Sequence, residues 1–253
     1  MFEVREVVWP RRLGHADFCL RPGELMALVG PNGAGKSSLL ALMSGQYEAG
    51  SGEIRLNGQP LNRLEPVAQA QQRAWLPQRV TVPVSMPAAI LLTLGLPWQP
   101  AGAVVEEVVA LLELEPLLQR DVLTLSGGEQ QRCQLARVMI QVASSPFQGP
   151  RFLLLDESLQ ALDIRHQMRA LQGLRRWCRA GWLGVLWVSH DLGLAYEAAD
   201  RWLLLQQGRQ QGVAPPATLA QAIDLSEVFG WPLQQAECGG RQRLWPQWET
   251  RHD

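Results

Sequence analysis

The chain has 253 residues, 47% of them hydrophobic and 19% charged, which suits one large or two small globular domains with a sizeable core. A net charge of −1 offers no general attraction to nucleic acid or anionic lipid, so no nucleic-acid partner is expected. The four cysteines, Cys19, Cys133, Cys178 and Cys238, form no CxxC pair and read as reduced thiols of a cytosolic protein.

The start, MFEVREVVWPRR, has no long apolar run and predicts no signal peptide. ELMALVG (24–30) reads as a buried strand and KSSLLALMSG (36–45) as a helix, with Leu39, Leu40 and Met43 at helical spacing. Between them lies GPNGAGKSS (30–38), the phosphate-binding loop pattern. Gly30, Gly33 and Gly35 allow tight turns and a close approach of backbone to ligand. Pro31, Asn32 and Ala34 complete the loop, whose amides at the helix start would face an anion. Of the 23 basic residues 22 are arginines, and the single lysine, Lys36, stands here to reach the β- and γ-phosphates as a point charge. Ser37 is expected to hold Mg²⁺ through its hydroxyl, and Ser38 to touch the α-phosphate side.

VTVPVSMPAAILLTLGLPW (80–98) is the most apolar region, and Pro83, Pro87 and Pro97 argue against a membrane-spanning helix there. GAVVEEVVALLELEPLL (102–118) predicts an amphipathic helix. In LSGGEQQR (125–132), Ser126 is an N-cap candidate, Glu129 follows three residues on, and Gly127 and Gly128 expose amides, which together make a second anion site at a helix start. RFLLLDE (151–157) is an unalternating apolar run that suits a central parallel strand. Such strands present ligand groups at their carboxyl ends, which places Asp156 at the Mg²⁺ shell and Glu157 where it can orient or deprotonate an attacking water. WLGVLWVSHDL (182–192) repeats the pattern and delivers Ser189, His190 and Asp191, with His190 able to meet the γ-phosphate or hold the water. The tail, 213–253, reads as a small helical appendage.

The octapeptide 125–132 is the signature of the ATP-binding cassette family, and residues 1–212 resemble its transporter ATPases. The resemblance implies an α/β P-loop NTPase cassette with a RecA-like core sheet (1–76 and 150–212) and an inserted helical subdomain (77–149). It implies ATP and Mg²⁺ as ligands and a homodimer in which Ser126, Gly127 and Gly128 meet the other subunit's γ-phosphate. Gln78 resembles the glutamine that senses Mg²⁺ and the γ-phosphate, QALD (160–163) the D-loop, and His190 the switch histidine. Trp9 sits at about the right distance to stack on adenine, or else belongs to the core. Two features depart from the pattern. DESLQALD lacks the proline and small polar residue common after the catalytic glutamate, and the segment RRLGHADFCLRPGE leaves little room for the usual strand pair.

A transporter ATPase of this kind would lie on the cytoplasmic face of the inner membrane and work with integral membrane permease subunits, and indirectly with a periplasmic substrate-binding protein. The text most resembles importers of large metal chelates, with cobalamin expected first and haem or ferric siderophores as the alternative. A soluble, non-transport cassette ATPase is the reading from a different class. The short span from Gln78 to Leu125 argues against it, because it has no room for a long coiled-coil insert.

Overall fold

The computed structural model describes residues 1–238 and 241–247. The chain opens with an antiparallel pair, β1 (Phe2–Trp9) and β2 (Leu13–Leu20), which buries Phe2, Val4, Val7, Leu13, Ala16 and Leu20. The segment RRLGHADFCLRPGE holds only β2, and the strand pair is completed by β1 in the residues before it. The turn between its strands takes only three residues, because Arg11 adopts a left-handed φ of 66° and the Arg12 amide closes onto the Trp9 carbonyl at 2.9 Å.

β3 (Leu25–Val29) is buried at every position and leads into the phosphate loop and α1 (Lys36–Met43). β4 (Ser51–Leu56), the two-residue β5 (Gln59–Pro60), α2 (Pro66–Gln72) and β6 (Arg73–Leu76) follow. Three helices then precede the next strand: α3 (Ala88–Leu91), α4 (Gly102–Leu111) and α5 (Gly127–Ala143). The predicted helix over 102–118 stops at Leu111, since Glu113 turns left-handed at φ 52°, and resumes only as a 3-10 turn at Glu115–Leu117. β7 (Arg151–Leu155), α6 (Ile164–Arg179), β8 (Leu183–Val188), α7 (Leu192–Ala198), β9 (Arg201–Gln206) and β10 (Arg209–Ala214) complete the sheet.

The ten strands run in the order β5-β4-β1-β2-β10-β9-β3-β8-β7-β6. The five at one end, β9-β3-β8-β7-β6, are parallel, with β6 at the edge. Alternation along them feeds two apolar layers. Leu25, Ala27 and Val29 of β3 face one layer with Leu153, Val185 and Trp187, and this layer also takes Val108 from α4 and Leu135 and Met139 from α5. Met26 and Leu28 face the other, with Phe152, Leu154, Leu186 and the α1 residues Leu39 and Leu40. Covering on both faces is what lets these strands be apolar throughout.

The tail is more than helical. After α8 (Pro216–Ala222) and α9 (Leu225–Phe229), β11 (Leu233–Cys238) and β12 (Arg241–Pro246) form a hairpin. It docks on α7 through buried Leu244 and a 2.8 Å pair between Arg243 and Glu197. Among the described residues Cys19, Cys133 and Cys178 are free, and burial pushes the Cys133 and Cys178 thiols up to about 11 and about 12. The Cys238 side chain and residues 248–253 of the predicted appendage lie outside the described residues. No described helix is long and apolar enough to cross a membrane.

Candidate nucleotide site

Strand register assembles the site. Leu76 pairs with Leu155, Leu155 with Trp187, and Leu28 with Val188, so the carboxyl ends of β6, β7, β8 and β3 lie along one edge. Each delivers a predicted group there: Gln78 after β6, Asp156 and Glu157 after β7, His190 after β8, and the phosphate loop after β3. The Asp156 amide donates to the Leu76 carbonyl at 2.9 Å, which holds two of these ends in step.

The loop requires its glycines. At Gly30 a Cβ would lie 2.1 Å from the Leu205 carbonyl oxygen. Gly35 has a φ of 98°, and a Cβ there would crowd the Arg12 carbonyl at 3.1 Å. Lys36, only 5% exposed, folds its Nζ back to donate to the Gly30 and Pro31 carbonyls at 2.7 and 2.9 Å. Burial pushes its ammonium below the usual lysine range, while Glu157 and Asp156 pull the other way. Arg11 and Arg12, loop residues 32–38 and Glu157 line an open cavity of about 360 Å³.

Ser37 Oγ donates to Asp156 Oδ1 at 3.3 Å. Burial raises the Asp156 carboxyl above its ordinary range, and this outweighs the Ser37 hydrogen bond. Glu157 takes 2.6 Å contacts on both oxygens, from Gln78 Nε2 on Oε2 and from His190 Nε2 on Oε1. Its backbone is left-handed, φ 53°, a conformation that a side chain rarely adopts unless its surroundings fix it. What fixes it is the unusual sequence that follows. Ser158 Oγ donates to the Leu76 and Asp156 carbonyls at 3.2 and 3.1 Å, Leu159 is fully buried, and the Gln160 amide returns to the Glu157 carbonyl at 3.1 Å.

The signature stands apart from this edge. Ser126 caps α5 in a reciprocal box with Glu129, whose carboxylate accepts the Ser126 amide at 2.7 Å. Ser126 and Gly127 are exposed, and Ser126, Gly128, Glu129 and Arg132 line a separate cavity of about 120 Å³ with Leu162, Asp163 and His166. That cavity shares no lining residue with the one at the phosphate loop. Gln131 Nε2 donates to the Ser158 carbonyl at 3.0 Å, a tie between signature helix and catalytic strand that sequence reasoning missed.

Trp9 is absent from the lining of the phosphate-loop cavity. Its ring lies 5.0 Å from that of Tyr47, tilted by 34°, and under the Arg12 guanidinium at 4.8 Å. Arg11 and Arg12, not Trp9, are the residues of this turn that reach the cavity. The sequence shows two adjacent arginines upstream of the phosphate loop, but the left-handed turn that aims them into the cavity is made by the fold.

A parallel core strand feeding a glycine cradle, a carboxylate pair beside it and an outward-facing S-G-G helix start together define an ATP-binding cassette. The defining pattern of the ABC transporter family matches residues 13–160, and the chain belongs to that family. It is similar to the hemin import ATP-binding protein HmuV of Myxococcus xanthus, 39% identical over 94% of this chain and 93% of that one. It is also similar to the HmuV of a Chelativorans species, 40% identical over 88% and 87%. In fold it is similar to the ATP-binding subunit of an ABC transporter, with a TM-score of 0.77 at 22% identity over 89% of this chain and 94% of that one. The chain is an ABC transporter ATPase.

Proposed function

We propose that two copies of this chain close head-to-tail on two ATP molecules and drive haem import through a membrane permease. The separation of the two cavities carries this reading. The phosphate loop and the Ser126 corner are both suited to bind anions, yet they line different cavities of one chain. Only a second copy can bring them to one nucleotide.

In the shared site, the loop amides of residues 33–38 and Lys36 hold the β- and γ-phosphates, with Ser38 towards the α-phosphate. Ser126, Gly127 and Gly128 of the other copy meet the γ-phosphate from the far side. Ser37 and Asp156, already in contact, fit a Mg²⁺ ion, with Gln78 beside them; the ion would neutralise charge on the phosphates. Glu157 accepts a proton from the water that attacks the γ-phosphorus as the bond to the β-phosphate oxygen breaks. Gln78 and His190 hold one oxygen each of that carboxylate and so orient it. Arg12, backed by Trp9, offers a flat cation to the adenine base.

Permease docking is supported by Val84, Ile90 and Leu94, large apolar side chains left exposed in the segment after Gln78. Such a chain would sit on the cytoplasmic face of the inner membrane, with a periplasmic binding protein supplying cargo to the permease. The likeness to hemin import ATP-binding proteins favours haem over cobalamin, the cargo expected first from the sequence. The test is ATP turnover by the chain assembled with its permease. Haem-loaded binding protein should stimulate it. Stimulation by a cobalamin-loaded protein alone would reverse the cargo, and indifference to the permease would favour a non-transport ATPase. Glu157→Gln should abolish turnover while trapping ATP in a closed dimer, and phosphate release near the parent rate would refute the base.

A further inference from the structure

His166, in the first turn of α6, joins three elements. Its Nδ1 lies 2.9 and 2.8 Å from Oδ1 and Oδ2 of Asp163, the last residue of the 160–163 loop, and its backbone amide donates to the same carboxylate at 2.9 Å. Its Nε2 lies 2.9 Å from Nη1 of Arg132 in α5 and 3.3 Å from Oε2 of Glu113, just past α4. The Arg132 Nη1 also donates to the Leu112 and Glu113 carbonyls at 3.1 and 3.2 Å. The ring is largely buried, its side chain 14% exposed, and it lines the same cavity as Ser126 and Gly128.

Donor and acceptor rules fix the proton. A carboxylate accepts, so Nδ1 donates to Asp163. A guanidinium only donates, so at 2.9 Å Nε2 accepts from Arg132, whose two Nη1 hydrogens are shared among Nε2 and the Leu112 and Glu113 carbonyls. The geometry fits the neutral ring protonated on Nδ1. A second proton, on Nε2, would set two N–H donors against each other and turn the ring towards Glu113. The charged groups around it are Asp163 from the loop, Arg132 and Glu129 from α5, Glu113 past α4, and Arg165 and Arg169 on α6 itself, both paired with Glu113.

We propose that His166 is a positioning residue for the shared nucleotide site: in its neutral form it ties the 160–163 loop to the signature helix through Arg132, and on protonation it gives up that tie for Glu113. The inference rests on the two-copy reading above. The tie matters there because the loop passes directly under the corner, with the Ala161 carbonyl 3.7 Å from where a Cβ on Gly128 would lie. Loosening it moves the surface that must meet the other copy's nucleotide.

The experiment uses the Glu157→Gln protein with Mg-ATP and reads the dimer by light scattering from pH 5.5 to 8, with ATP binding by the monomer as a control. The parent should need more ATP to dimerise as the pH is lowered from 8 to 5.5. His166→Ala should raise that requirement about tenfold at pH 8, the equivalent of one charge-assisted hydrogen bond. His166→Gln, which offers Arg132 an acceptor that cannot take a proton, should restore dimerisation at pH 8 and flatten the remaining acid dependence. Monomer affinity for ATP should stay unchanged in both. Dimerisation of His166→Ala at the parent ATP requirement, or undiminished acid dependence in His166→Gln, would overturn the inference while leaving the two-copy reading intact. A Glu157→Gln parent that stays monomeric at every pH would overturn both.

Discussion

The sheet edge and the signature corner, the two regions proposed to meet one ATP between copies, are built by opposite means. At the edge the key groups are buried: Lys36 is 5% and Asp156 3% exposed, and Glu157 is held by contacts from two other strand ends. At the corner Ser126 and Gly127 are exposed, and the capping box satisfies the helix start with its own Glu129. The edge is preorganised by the core and is fit to bind a nucleotide alone. The corner is locally complete and contributes only when something is brought to it. On the two-copy reading proposed above, one chain would hold one binding site and half of another's.

Substitutions on the two sides should separate accordingly. Lys36→Ala removes the buried cation and should cost ten- to a hundredfold in ATP affinity of the monomer, about 1.5–3 kcal/mol, read by titration with a fluorescent ATP analogue. Ser126→Arg should leave that affinity unchanged and abolish the ATP-dependent dimer in light scattering. Loss of its cap should lower stability by about 1 kcal/mol, too little to unfold the chain. If Ser126→Arg weakened monomer binding as Lys36→Ala does, the contrast between the regions would fail.

Arg12→Ala sharpens the comparison at the rim of the edge. It should weaken ATP about three- to fivefold, the scale of one exposed cation–π contact, and leave tripolyphosphate binding unchanged. Trp9→Ala should do the same, and the double variant no worse, because Trp9 acts by supporting Arg12. A gain in affinity on removing Arg12 would instead mean that it competes with the base for Trp9.

The smallest effect concerns the burial of the edge. Asp156 has a carboxyl raised above its ordinary range, so the folded state binds its proton more tightly than the unfolded chain does. Its contribution therefore falls as pH rises through the ordinary aspartate range, and at neutral pH the ionised group destabilises the fold. Asp156→Asn should raise Tm at pH 7, with a smaller gain at pH 4, and should lose the added stabilisation given by Mg²⁺ with ATP. A lower Tm at pH 7 would show that the Ser37 contact outweighs burial.

Much of the edge was legible because its chemistry is local. Glycine spacing, Lys36 and the acids after RFLLL each lie within a few residues of the strand that positions them, and unalternating apolar runs mark those strands as central. What stayed hidden depends on distant pairing. The β1–β2 strands looked too short because the left-handed turn at Arg11 has no glycine to announce it. The hairpin at the tail is stabilised by Leu244 on α7, a contact invisible to periodicity. DESLQALD departs from the family pattern after Glu157, and the residues that stand there, Ser158 and Leu159, anchor the segment to β6 and the core. Arg12 over Trp9 and His166 between Arg132 and Asp163 are contacts that only the fold makes.

The most direct measurement is a structure of Glu157→Gln with Mg-ATP. Each triphosphate should lie in the loop of one copy, on Lys36, with Ser126 and Gly128 of the other copy within hydrogen-bonding distance of its γ-phosphate. A nucleotide bound by the loop with every signature corner turned elsewhere, in solution-supported dimers as well as monomers, would contradict the account.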